Sequence, residues 1–237
     1  MSRAPVIARR ELSSYFYSPI AYVALTLFLM AAGYLFWRDF QPGQPAGMRT
    51  IFDWMVWLLV FIVPVLCMGL LAQEWATGTI ETMMTAPVNE TEVVLGKFLG
   101  SLGFFAVLLV PTLLYVLLLR AYGRPDYGPI FSSYLGLLLV AALFISVTLM
   151  FSAMTAIQVV AAAMSFAVLC VLTVLPWAAT QISVPNSVQT ALDQLVFTRY
   201  AAFTDGAIGI GNLVFFIAST AVFLFVTVKV LEWNRWK

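Results

Sequence analysis

The sequence predicts an all-α polytopic membrane protein with six transmembrane helices, and three observations carry that prediction. Hydrophobic residues make up 62% of the 237 positions and charged residues 10%, far from the roughly 45–50% apolar and 25% charged usage of soluble domains. Mean hydropathy is +0.98. Charge-free stretches of the ~20 residues that cross a bilayer core as helix recur along the chain. The longest, residues 127–192, would extend about 99 Å as one helix. That is three times the ~30 Å core, so it folds back at least once.

The elements follow in order. Ala8, Leu12, Tyr15 and Phe16 recur at helical spacing, with Arg9, Arg10, Ser13 and Ser14 on the other side. This predicts a short helix over residues 3–18 lying in the membrane interface, marked by Arg9, Arg10, Glu11 and Tyr15. The alternative is that residues 3–19 merely flank a span. Ser18-Pro19 biases the chain out of helix and permits a turn into the membrane. The apolar stretch beyond it is longer than a signal-peptide core and lacks a clear small-residue cleavage site, so the expectation is a retained span. Spans are expected at residues 20–37, 54–73, 97–119, 130–152, 158–180 and 207–231 of a single domain covering 1–237. The polar interruption Ser152-Ala-Met-Thr-Ala-Ile-Gln158 divides the fourth span from the fifth.

Between spans two and three, Ile80, Met83 and Met84 stand at i, i+3 and i+4, with Glu81, Thr82 and Thr85 facing away and Gly78 and Pro87 at the ends. The spacing predicts a helix of about two turns over residues 78–88, beginning Gly78-Thr79. A helix this short is marginal in water. It needs a surface, either the membrane interface or another protein, and pliable methionines favour the protein. Asn89 with Glu92 matches a capping box at the start of span three. Residues 185–205 form a long, half-apolar connection in which one or two short helices are expected to dip into the outer leaflet.

Orientation follows from the basic residues. With the N-terminus cytoplasmic, seven Lys and Arg lie inside, Lys97 among them, and five outside. Three arginines precede the first span, which places both termini in the cytoplasm. Tyr34, Phe36 and Trp37 suit the outer aromatic belt, and Trp233 and Trp236 the inner one.

The chemistry is bounded as sharply. With no histidine, a histidine triad, metal site or proton relay is excluded. Cys67 and Cys170 each lie in an apolar run and read as core thiols. The only Gly-Lys pair, Gly96-Lys97, lacks the first glycine and the hydroxyl of a phosphate loop. A net charge of +1 offers no footprint for nucleic acid. No charged residue falls in the middle of an expected span, which speaks against a gradient-driven carrier. No catalytic residue and no metal ligand is expected. Gly96-x-x-x-Gly100 with Gly103, and Ala161-x-x-x-Ser165, are small-residue patterns for close helix packing within the chain or across a dimer. Thr26, Tyr115, Ser146, Thr148 and Thr173 are candidates to line a translocation path; the alternative is that their hydroxyls bond their own helices.

Several segments together resemble a known family. Arg10-Glu-Leu-x-x-Tyr-Phe-x-Ser-Pro-Ile-Ala-Tyr22, Gln73-Glu74, Gly78-Thr-Ile-Glu81, Thr85-Ala-Pro87 and Val94-Leu-Gly-Lys97 look like the membrane subunits of type-2 ABC exporters. Within these the likeness is greatest to the gliding-motility-associated permease group, with the nitrous-oxide-reductase maturation permease more distant; the label is no sign that the cell glides. The resemblance implies a multi-pass permease of the bacterial cytoplasmic (inner) membrane, with residues 3–18 as connector helix and 78–88 as the coupling helix seated in a cleft of a separate ATPase. Gly78, Thr79, Ile80, Glu81, Thr82, Met83, Met84, Thr85 and Pro87 are then the coupling residues, with Glu81 the polar anchor. It further implies two ATPase copies carrying ATP and magnesium, no cofactor on this chain, and a second permease copy or a related permease beside spans one and five. Further membrane or periplasmic subunits are compatible with it. The function expected is ATP-driven export by a chain that is not itself an enzyme; the alternative is a membrane anchor or scaffold that uses the same ATPase contact without moving cargo.

Overall fold

The computed structural model describes residues 4–39, 48–79, 89–123, 125–181 and 194–235, and all regular structure in them is helical. In chain order the helices are α1 (Ala4–Tyr17), α2 (Pro19–Asp39), α3 (Arg49–Cys67), α4 (Gly69–Thr77), α5 (Glu90–Leu109), α6 (Leu113–Tyr122), α7 (Tyr127–Met154), α8 (Gln158–Gln181), α9 (Val196–Thr204) and α10 (Ile210–Arg235). Six stretches are long and apolar enough to span a membrane: Pro19–Asp39, Arg49–Thr77, Glu90–Tyr122, Tyr127–Met154, Gln158–Ala178 and Ile210–Trp233. Several run past the charge-bounded limits read from the sequence. Arg49, Asp53 and Glu74 all lie within helices, because a charge at a span's end does not interrupt backbone hydrogen bonding.

The core is organised on α7, which packs against α3, α5, α8, α9 and α10. In its most apolar stretch 72% of residues are buried, against 28% in the fifth and sixth spans. A helix apolar on every side is buried on every side only when neighbours surround it. The peripheral spans therefore turn much of their apolar surface outward, as a bilayer requires. Helix α9 lies directly on α7: a Cβ at Gly136 would meet Phe203 and Tyr200 at 3.0 Å, and Ser132 Oγ donates to the Phe203 carbonyl at 2.6 Å. Residues 182–193, which hold much of the expected 185–205 region, lie outside the described residues.

Two spans are broken near prolines, which cannot donate to the helical ladder. Pro111 lies in a short 3₁₀ turn, Val110–Thr112, between α5 and α6. Four residues after Pro64, the second span breaks at Met68 between α3 and α4. A side chain fills that gap. Ser152 Oγ accepts from the N–H groups of Leu71 and Ala72 at 3.0 and 2.9 Å, and donates to the Met68 carbonyl at 2.8 Å. Ser152→Ala would leave these buried groups without that partner, at a cost of about 1–3 kcal/mol. The expected outcome is a lower unfolding midpoint in detergent micelles; an unchanged midpoint would argue against the plug. Just beyond, α7 ends at extended Thr155, whose Oγ1 accepts from Ile157 N–H at 3.1 Å, and α8 starts at Gln158. The 152–158 interruption is where the long charge-free run folds back.

Candidate functional site

Three helices converge on one charged side chain. Lys97, the eighth residue of α5, places its Nζ 2.7 Å from Glu11 Oε1 of α1 and 2.7 Å from Glu74 Oε1 of α4. Its side chain is only 3% exposed. A buried ammonium is tolerable when carboxylates replace the lost water, and here two do.

Glycines bring the helices close enough for this. A Cβ on Gly96 would stand 2.6 Å from Ile7 Cβ and 3.0 Å from the Ala4 carbonyl oxygen. One on Gly100 would stand 2.7 Å from Glu11 Cβ and 2.9 Å from the Ala8 carbonyl oxygen. The small-residue pattern thus serves packing within the chain, and the same holds for Ala161 and Ser165, both fully buried. One turn beyond Lys97, Ser101 Oγ donates to the Lys97 carbonyl at 2.9 Å, which leaves the Tyr15 hydroxyl to donate to Ser101 at 3.0 Å. Tyr15 stacks on Phe104 with centroids 4.7 Å apart, and its hydroxyl lies 3.7 Å from Cys67 Sγ. Burial, reinforced by the neighbouring Cys67, raises the Tyr15 phenol well above its ordinary pKa and keeps it neutral.

Of the apolar stripe of α1, Tyr15 is buried against α5 and Ala8 and Leu12 are half-buried, whereas Phe16 is exposed, as are Arg9, Arg10, Ser13 and Ser14 on the polar side. Glu74 and Lys97, at the expected edges of spans two and three, face each other inside the protein.

The segment between these two residues leaves and re-enters the helices abruptly. Helix α4 stops at Gly78, whose φ of +69° is left-handed and costs glycine nothing. Its N–H donates to the Trp75 carbonyl at 3.3 Å, and the hydroxyls of Thr77 and Thr79 are 2.9 Å apart. Ile80, Glu81, Thr82, Met83, Met84, Thr85 and Pro87 lie outside the described residues, and with them most of the expected 78–88 helix. Asn89 stands at the N-cap of α5, but its side chain makes no cap bond; the Glu92 N–H instead meets the Asn89 carbonyl at 2.9 Å. The capping box marks the right boundary without forming its side-chain bond at Asn89.

On the opposite side of the bundle, Arg199 of α9 stacks over Phe215 at 4.4 Å and donates to Asn212 Oδ1 at 3.3 Å, tying α9 to α10. Arg49 pairs with Asp205 across the same end. Among the described residues no three Cys, Asp or Glu group as a metal set.

A family model described as ABC-2 family transporter protein matches residues 40–232. The chain belongs to the ABC-2 transporter family. No curated protein sequence matches it. It is therefore a multi-pass membrane protein and the permease component of an ABC transporter, a class that works with an ABC ATPase partner and is not itself catalytic.

In this ABC-2 permease the five candidate pathway residues are placed as follows. Thr26, Ser146, Thr148 and Thr173 each donate to a carbonyl three or four residues earlier, at 2.8, 2.7, 2.9 and 2.8 Å. Ser146, Thr148 and Thr173 are fully buried, and Thr26 is exposed on α2. Tyr115 instead reaches another helix: its hydroxyl donates to the Leu29 carbonyl of α2 at 3.2 Å and its ring stacks on Phe36 at 5.0 Å. Sequence reasoning missed the roles of Lys97, Glu74 and Ser101. The usable signal was a lone lysine between the glycines of an otherwise apolar helix, with an acid on each of two neighbouring segments.

Proposed function

We propose that this ABC-2 permease exports cargo across the bacterial cytoplasmic membrane, driven by ATP bound with magnesium on a separate ATPase subunit. The working complex holds two ATPase copies and two permease copies, with both termini of each permease in the cytoplasm. Residues 78–88 dock in the ATPase as a coupling helix, with Glu81 as polar anchor and Met83 and Met84 as the pliable apolar face. The likeness to the gliding-associated group rests on the motifs at residues 10–22 and 73–97.

One observation supports the coupling reading most directly. The segment is held by two stems, α4 and the start of α5, that are themselves joined through Glu74 and Lys97 at 2.7 Å. A displacement applied to the segment then reaches the second and third spans together, as rigid-body rocking requires.

The test is reconstitution with the cognate ATPase. Glu81→Ala with Met83→Ala is expected to cut complex assembly and coupled ATP turnover by at least about tenfold, the equivalent of about 1.4 kcal/mol of lost contact. Unchanged assembly and turnover would remove the coupling assignment.

A further inference from the structure

With Glu11 turned inward to Lys97, the outer face of α1 carries charge of one sign. At about 3.6 residues per turn, Val6, Arg9, Arg10, Ser13, Ser14 and Tyr17 fall on one side of the helix, away from Ala4, Ala8 and Tyr15. All six are exposed, and together they line an open depression of about 530 Å³. Among the described residues no carboxylate pairs with Arg9 or Arg10. The Ser13 hydroxyl donates to the Arg9 carbonyl at 2.9 Å and keeps its lone pairs outward. The face is not simply a wet one, since Val6 is 70% and Tyr17 88% exposed at its two ends.

The contacts of α1 with α5 fix its height. They climb in step along both helices: Ile7 meets Gly96, Glu11 meets Gly100, Leu12 meets Gly103, and Tyr15 meets Ser101 and Phe104. From Gly96 to Phe104 α5 rises about 12 Å. Glu90 and Glu92 occupy the first turn of α5, and its apolar stretch follows them, so the climb takes α1 through the depth at which the third span enters the bilayer. Two residues past Tyr17, Pro19 opens the first span, whose Ile20 and Val23 are exposed apolar surface suited to acyl chains. An arginine without a carboxylate at this depth is poorly placed in hydrocarbon and finds its counter-charge in a lipid phosphate. The planar guanidinium fork fits two phosphate oxygens at once. A tyrosine at the same level is the usual companion of the headgroup layer. An acidic protein surface would match the two charges, but it would leave Tyr17 and the adjoining apolar surface of α2 unexplained.

We propose that this face of α1 is a binding site for the headgroup of an anionic phospholipid in the leaflet on the N-terminal side of the membrane. Arg9 and Arg10 hold the phosphodiester, Ser13 and Ser14 face the glycerol backbone, and Tyr17 closes the site at the level of the acyl esters. The site stands apart from residues 78–88 and does not depend on their coupling role.

The test uses the full permease with its ATPase in nanodiscs of equimolar phosphatidylglycerol and phosphatidylcholine. The photo-crosslinking substitution Tyr17→benzoylphenylalanine probes the depression, and Tyr34→benzoylphenylalanine, at a position 60% exposed near the other end of span one, probes the general lipid shell. Adducts are weighed by mass spectrometry after irradiation. A basic residue near an anionic surface multiplies association about fivefold, so phosphatidylglycerol adducts at Tyr17 are expected to exceed phosphatidylcholine adducts by roughly tenfold or more, with near parity at Tyr34. Arg9→Gln with Arg10→Gln is expected to bring the Tyr17 probe to parity, and Arg9→Lys with Arg10→Lys to keep most of the preference.

Parity at Tyr17 with both arginines in place overturns the site. So does a preference that survives the Gln pair, or one that the Lys pair abolishes, since either separates the effect from the charges. A Tyr17 crosslink that runs to the ATPase also overturns it and makes the face a protein contact.

Discussion

Lys97→Met is expected to lower the unfolding free energy by about 3–5 kcal/mol, the cost of stripping one partner from a buried ionic cluster. The lysine is 3% exposed and its two carboxylates are 15% and 17% exposed, so water cannot readily replace the lost ammonium. The measurement is equilibrium unfolding in detergent micelles followed by tryptophan fluorescence. Adding Glu11→Gln and Glu74→Gln to the same protein is expected to recover most of the loss, since a neutral cluster of similar volume leaves no uncompensated charge. A single variant as stable as the parent would mean that the three side chains are solvated and make no structural cluster.

Gly100→Val is expected to detach α1. Its Cβ alone would lie 2.7 Å from Glu11 Cβ and 2.9 Å from a carbonyl oxygen, and the obstruction is partly backbone, which cannot swing aside. Overpacking of this kind costs about 1–3 kcal/mol. Because it acts at a surface between two helices, the first sign should be faster proteolysis within residues 4–17 in micelles. Gly103→Ala is the control: its Cβ would meet only the Leu12 methyl groups, at 3.7 and 3.8 Å, which is ordinary contact. Equal protease resistance in both variants would show that α1 does not depend on the close approach.

Much of the architecture was legible because the bilayer imposes a length and a polarity on any helix that crosses it. The six spans and the fold-back at residues 152–158 follow from local composition and from one polar interruption; the stop of the second span at Gly78, past its expected end at residue 73, did not. The hidden roles of Ser152 and Tyr115 were not legible. The Ser152 hydroxyl has an in-helix alternative that the sequence cannot distinguish from a bond to another helix, and the sequence does not say which helix lies opposite the Tyr115 phenol. Thr148 took that alternative, bonding Phe144 at 2.9 Å, whereas Ser152 reached across to a broken helix. Which occurs depends on whether a neighbour has an unsatisfied backbone group opposite, and that is a property of packing.

The candidate site divides in the same way. By itself the sequence determined that the protein is built of membrane-crossing helices, that histidine chemistry is absent, and that residues 78–88 carry a short amphipathic pattern between spans two and three. Only the tertiary structure decided what Glu11, Glu74 and Lys97 are for. Along the chain they read as three interfacial charges from unrelated segments, and a charge near a span's end is as cheap in water as in a pair. Packing α1 against the glycines of α5 excludes the water, and once water is gone the only inexpensive place for each charge is beside the others.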